Sequence, residues 1–269
     1  ALYNDTAKAD ALEKILEDAA ASLVSKQKFP FAHPAKEGGT EPPEMLVWVY
    51  FYLAQHYDKR GKPVKAVHYI DEAIQHSPTV LDLYLCKARI VSRAGDKQQA
   101  WKLADEARAM DLADRYLNSE CVKVMLEADQ VEKAAETIAL FTKEGDEGNT
   151  LYDMQCMWYE VEAGNSYLRT ESFGKGIKQY KAISEHFADI TEDQFDFHTY
   201  CLRKMTLRTY VKLLRMEERL HHHHFYCQAA FGLLRSYIGL NDQEEETPAS
   251  EGSAGADGAE GGDKEGTGG

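Results

Sequence analysis

Five groups of residues have types and spacings that can do chemistry or hold a charged ligand. His221, His222, His223 and His224 are consecutive, and imidazoles ligate metals and carry protons near neutral pH. Neighbours on a helix point about 100° apart, so four in a row cannot converge on one ion. The run reads as a solvated turn or helix start before Phe225. Asp193, Asp196 and His198 lie in Thr191–Thr199 (TEDQFDFHT), and a carboxylate beside an imidazole suits acid–base work. The more economical reading makes Thr191 a helix N-cap, with Glu192, Asp193 and Gln194 as a capping-box-like first turn. Cys86, Cys121 and Cys156 recur every 35 residues, as small buried residues at equivalent repeat positions would. Glu171–Ile177 (ESFGKGI) holds a Gly-x-Gly of the kind that can cradle pyrophosphate, but Glu171 would repel the anion and helix precedes it. That segment reads as a turn. No catalytic residue and no metal ligand is assigned from these four groups.

The fifth group is basic: Lys87, Arg89, Arg93, Arg115 and Lys123. Arg89 and Arg93 are four apart and share a helix face. These cations either converge on a polyanion or pair as ordinary surface charges with Asp96, Asp111 and Asp114. They stand out because the chain is acidic. Its 31 Lys+Arg face 45 Asp+Glu over 269 residues, a formal charge of −14. From Asn241 to Gly269 there are nine acidic residues and one basic, so this stretch carries −8 and the rest −6. That balance argues against general nucleic-acid binding and leaves room for one local basic site.

The elements that must position these groups read as helices throughout. There is no sustained period-two alternation of β-branched residues. Leu12, Ile15, Leu16, Ala19 and Leu23 put an amphipathic helix in a first segment, 1–28. A Pro- and Gly-rich linker, 29–43, follows, and helices of about 12–18 residues then fill 44–240. Residues 241–269 have no apolar side chain larger than Ala and are expected to be disordered. A segment around Asp193–Leu220 and another around Phe225–Leu240 read as a further helical pair of unfixed register. No run approaches the ~18 apolar residues of a membrane span. The start at Ala1 lacks a basic stretch before an apolar run, so no signal peptide is expected, and the chain reads as a piece of a longer one. Five dispersed cysteines fit a reducing compartment.

Shifting the chain by 34 residues superimposes Ala54, Ala88 and Val122, then Gly61, Gly95 and Asp129. Ala66, Ala100 and Ala134 follow, then Ile70, Ala104 and Ile138, then Ala73, Ala107 and Phe141. Small residues let two helices of a unit approach closely, and the larger ones fill the contact between units. A fourth unit follows an insertion around Lys143–Thr150, through Gly164, Tyr167, Gly176, Tyr180 and Ile183. This pattern resembles the tetratricopeptide repeat. The fold expected is an all-α, right-handed superhelix of antiparallel helix pairs, with first helices lining the concave side.

Longer strings carry a more specific resemblance: Val49–Lys59 (VYFYLAQHYDK), Ala107–Asn118 (ARAMDLADRYLN), Met154–Trp158 (MQCMW) and Ile190–Arg208 (ITEDQFDFHTYCLRKMTLR). Over roughly Glu41–Leu240 the chain is similar to the auxiliary subunit of the NatA N-terminal acetyltransferase. The resemblance implies a cytoplasmic, non-catalytic scaffold. It would wrap an acetyl-CoA-dependent catalytic subunit, tune it for small first residues, and place it at the ribosome, with other associated subunits as further partners. It also implies an inositol hexakisphosphate where scaffold and catalytic subunit meet. Lys87, Arg89 and Arg93 fall in the matching segment, and Ser92 departs from the basic residues of relatives. No membrane and no sequence-specific nucleic-acid partner is expected. The alternative is a peptide-binding adaptor of co-chaperone type, which clamps a terminal carboxylate with Lys, Asn and Arg. Asn is scarce on the first helices here.

Overall fold

The computed structural model describes residues 2–31, 39–142 and 149–246. The chain order is α1 (Thr6–Lys26), α2 (Glu44–Lys59), α3 (Pro63–His76), α4 (Leu81–Arg93), α5 (Lys97–Met110), α6 (Arg115–Glu127) and α7 (Val131–Ala139). A short α8 (Asn149–Asp153), α9 (Met157–Arg169), α10 (Phe173–Lys204), α11 (Leu207–Glu217) and α12 (His224–Glu246) follow. Much of the expected linker, the 143–148 part of the insertion, and the expected disordered stretch beyond 246 lie outside the described residues.

The 34-residue register marks the turn within each helix pair. Gly61, Gly95, Asp129 and Glu171 all have positive φ, at 68°, 107°, 59° and 56°. After each, the next N–H reaches back five residues: Lys62 to the Tyr57 carbonyl at 2.9 Å, Asp96 to Val91 at 3.2 Å, Gln130 to Met125 at 2.9 Å and Ser172 to Tyr167 at 2.8 Å. This is the Schellman ending, which satisfies orphan carbonyls and reverses the chain within three residues. Glycine takes that conformation without a Cβ penalty, and Asp tolerates it. The pairs α2–α3, α4–α5, α6–α7 and α9–α10 result.

Inside each pair the repeat residues are the core. Ala54, Ala66, Ile70 and Ala73 are fully buried, as are Ala100, Ala104, Val122 and Ala134. The fourth pair redistributes the same volume. Gly164 stands where Ala54 does in the first, and Tyr180 and Ile183 replace the register of Ile70 and Ala73. A Cβ on Gly164 would lie 2.6 Å from Tyr180 Cε1, so the glycine makes the room for the ring.

Several local expectations are corrected. Thr191 is not an N-cap. It lies inside the 32-residue α10, and its Oγ1 donates to the Phe187 carbonyl at 2.9 Å. No Gly or Pro interrupts Ile177–Lys204, so nothing stops the helix, and the hydroxyl is satisfied one turn back. The Asp193–Leu220 segment therefore splits between the end of α10 and α11, with Met205 turning the chain at φ 54°. α12 packs on both α9 and α10, in the place of a fifth first helix. It runs to Glu246, six residues beyond Leu240, because Gln and Glu favour helix and no breaker intervenes before Pro248. α1 is not a separate body. Leu16, Ala19, Ala20 and Leu23 share one core with Val47, Leu53, Tyr57 and Ile70.

Candidate polyanion site on the first-helix face

The first helices α2, α4, α6 and α9 lie side by side, and charged side chains bridge from each to the next. Arg93 on α4 pairs with Asp58 on α2. Arg89, one turn earlier, reaches forward to Glu120 on α6 at 2.6 Å and to the Tyr116 hydroxyl at 2.9 Å. Lys123 completes that triad at 2.9 Å from Glu120, with its ammonium 5.2 Å from the Trp158 ring. Further on, Arg169 of α9 contacts Asp129 at 2.8 Å and the Leu126 carbonyl at 2.7 Å.

Three of the five basic residues singled out from the sequence thus share one face: Arg89, Arg93 and Lys123. Lys87 points elsewhere and pairs with Asp71 of the second helix α3 at 2.7 Å. Arg115 opens α6 and stacks its guanidinium 5.5 Å from the Phe141 ring. Their acidic partners also differ from those expected. Asp96 and Asp114 cap α5 and α6, accepting backbone N–H groups of Gln99 at 2.8 Å and Tyr116 at 2.7 Å. Asp111 likewise accepts from the Ala113 N–H at 3.0 Å. The carboxylates that meet the cations are Asp58, Asp71 and Glu120, on a neighbouring helix for Arg93, Lys87 and Arg89 and on the same helix for Lys123.

Lys97 escaped the sequence reading. It starts α5, yet its ammonium lies 2.6 Å from Glu127 and 2.7 Å from Ser92 Oγ. Ser92 also donates to Glu127 at 2.8 Å. Ser92 therefore sits beside a lysine brought from the next helix. Both meet Glu127, 30 and 35 residues further along the chain.

Electrostatics follow the geometry. Burial pushes the Glu120 carboxyl up, but hydrogen bonds from Lys123 and Arg89 outweigh it and hold the group below the usual carboxylate range. Glu127 is held low in the same way by Lys97 and Ser92, against burial. A polyanion on this face must take Arg89, Lys123 and Lys97 from these carboxylates or add to them. Arg93 is the most exposed of the set at 65%.

The other candidate groups have structural places. His221–His224 span a 3-10 turn and the start of α12. Among the described residues no cluster of three His, Cys, Asp or Glu could hold a metal. His198 hydrogen-bonds the Tyr210 hydroxyl at 2.7 Å, joining α10 to α11. Cys86 and Cys121 are buried inside first helices, where burial raises their thiols to about 11 and about 12. Cys156 is not equivalent to them. It is half-buried at the N-cap of α9, because the insertion after the third pair shifts the register by eight residues. A cavity of about 740 Å³ opens between α7 and α10, lined in part by Glu160, which pairs with buried His186 at 2.8 Å. No helix among the described residues is long and apolar enough to cross a membrane.

Antiparallel pairs stacked with first helices along one face define a tetratricopeptide-type right-handed superhelix, a scaffold class that carries ligands on its curved surface. More narrowly, the chain belongs to the family of the auxiliary subunit of N-terminal acetyltransferase A, whose model matches residues 1–264. The family match thus includes the first helix and runs into the acidic stretch, beyond the Glu41–Leu240 legible by resemblance. The chain is 51% identical over 246 residues to the N-terminal acetyltransferase A complex auxiliary subunit NAA15 of Arabidopsis thaliana, covering 91% of this chain and 27% of that one. It is 42% identical over 242 residues to the human N-alpha-acetyltransferase 16, NatA auxiliary subunit, covering 90% and 28%. It therefore spans little more than a quarter of these relatives. A solved structure described as Naa15/Naa10 bound to HypK-THB superposes with a TM-score of 0.79 at 32% identity, covering 90% of this chain and 35% of that one.

Proposed function

We propose that this chain is part of a non-catalytic scaffold that wraps the catalytic subunit of an N-terminal acetyltransferase. In this reading it shapes that partner's site for small first residues and holds it at the ribosome, in the cytoplasm. The observation that carries the proposal is family membership over nearly the whole chain, together with a superhelix whose first helices α2, α4, α6 and α9 are linked by side-chain contacts. Among the described residues no side-chain constellation outlines a competing active site. The scaffold acts by positioning and by shifting the partner's conformational population.

Arg89, Arg93 and Lys123, joined by Lys97, form the candidate seat for an inositol polyphosphate at the subunit junction. The co-chaperone-type alternative needs free asparagines on the first helices. Asn118 is instead buried and donates to the Thr137 carbonyl at 3.0 Å, and Asn165 accepts from Tyr180 at 2.8 Å.

Co-expression with the catalytic subunit, followed by acetylation of a Ser-starting peptide, tests the proposal. The scaffold is expected to raise activity on that peptide over the catalytic subunit alone, and unchanged rate and specificity would sink it. For the polyanion seat, Arg89→Glu with Arg93→Glu is expected to weaken inositol hexakisphosphate binding at least tenfold by calorimetry. Unchanged affinity would make the face a structural ion-pair ladder.

A further inference from the structure

The cations of the first-helix face are nearly all spoken for, whereas those of α11 are not. Arg208, Lys212 and Arg215 lie on α11 and Arg219 just after it, at spacings of four, three and four. At 100° and 1.5 Å per residue Arg208, Lys212 and Arg215 fall within about 60° of one another over about 10 Å, and Arg219 stands in the turn that follows. All four are exposed. Among the described residues none of their side chains has an ion pair or hydrogen bond, in contrast to Arg89, Arg93, Lys87 and Lys123.

The position of α11 explains their freedom. The helix packs chiefly on the far end of α10, through half-buried Tyr210, Leu213 and Leu214, and buries no residue fully. Leu202–Arg219 holds six cations (with Arg203 and Lys204) against Glu217 and Glu218, a local +4 within a chain of −14.

We propose that this stripe binds the phosphate backbone of RNA and not a protein partner. Three of the four cations are arginines, whose planar fork matches phosphate oxygens two at a time. The exposed apolar side chains of α11, Leu207, Val211 and Met216, flank the line singly, whereas a protein interface needs a contiguous dry apolar centre. Unpaired cations in a row also release condensed counterions with no protein ion pair to break first. Contacts of this type carry no sequence information. Such binding is compatible with the exclusion of sequence-specific recognition and runs against the broader expectation drawn from net charge. It rests on the ribosome-associated reading for its setting only.

The test uses the full 269-residue chain and a fluorescein-labelled 20-nucleotide single-stranded RNA, read by anisotropy at several salt concentrations. Four phosphate contacts give a slope of log K against log salt of about −3. Arg208→Glu with Arg215→Glu is expected to weaken binding at least tenfold at 50 mM salt and to flatten the slope by one or more. Arg208→Gln with Arg215→Gln, milder for folding, should move both readouts in the same direction. Arg89→Glu with Arg93→Glu should leave them unchanged. Absence of binding by the wild type at 25 mM salt overturns the proposal. So does a slope that neither stripe variant changes, or capture of the chain by phosphatidylserine vesicles in place of RNA. Failure to associate with the catalytic subunit would sink the function proposed above and leave this site standing.

Discussion

Replacing Gly232 by Ala is expected to destabilise the protein, although helix propensity alone gives the opposite sign. Gly232 is inside α12, where Gly→Ala would ordinarily gain about 1 kcal/mol. A Cβ there would lie 2.3 Å from Tyr180 Cζ, 2.5 Å from Cε1 and 2.6 Å from Cε2. Ordinary contact begins near 3.4 Å, so the ring and helix must separate by about 1 Å. The ring cannot yield cheaply. Tyr180 is fully buried, Gly164 presses it from α9, and its hydroxyl donates to Asn165 Oδ1 at 2.8 Å. Overpacking of this kind costs about 1–3 kcal/mol, which leaves a net loss of up to about 2 kcal/mol. Urea unfolding followed by far-UV circular dichroism measures it. Gly174→Ala is the control, since nothing lies within 4 Å of its Cβ, and it should be neutral or stabilising. Tyr180→Leu in the Gly232→Ala background removes the clash and should give a coupling of about 1 kcal/mol or more in a double-mutant cycle. If Gly232→Ala raised the urea midpoint as Gly174→Ala does, the seating of α12 against Tyr180 would be wrong.

Other expectations follow from the same geometry. Thr191→Ala should leave stability unchanged or raise it by a few tenths of a kcal/mol in urea melts, because Thr191 is interior to α10; loss of a true cap would cost about 1 kcal/mol. Cys86 and Cys121 should resist a thiol-labelling reagent at pH 7.5 until the protein unfolds, while half-buried Cys156 and Cys227 react first, as mass spectrometry of labelled peptides would show. The Glu120 carboxyl is lower in the folded state than its unfolded value near 4.3, so its contribution is complete above that pH and lost as pH falls through the folded value. Glu120→Gln should accordingly lower the urea midpoint at pH 7 and lower it less as the pH falls below 4. The buried Glu160 has the opposite sign. Burial raises it against the hydrogen bond from His186, and its Oε2 has no partner, so Glu160→Gln should hold or raise the midpoint at pH 7.

Much of this molecule is written locally. The 34-residue register could be read because small residues, turn residues and apolar positions act within one helix pair, and Gly61, Gly95 and Asp129 turn where that register puts them. The family strings are contiguous, so they too needed no fold. The charge of −14 and the basic cluster were equally plain. Which cations are free was not, because ion pairs here cross from one unit to the next. Arg93 meets Asp58 35 residues away and Arg89 meets Glu120 31 residues away. Stacking brings together residues about one repeat apart, and no window of sequence shows that. Packing likewise decided that α1 belongs to the core, that α12 seats on Tyr180, and that Thr191 is interior to a long helix. Composition fixed how much charge the chain carries; tertiary structure decided which of it was left unpaired, because a guanidinium is neutralised only by a carboxylate the fold places within reach.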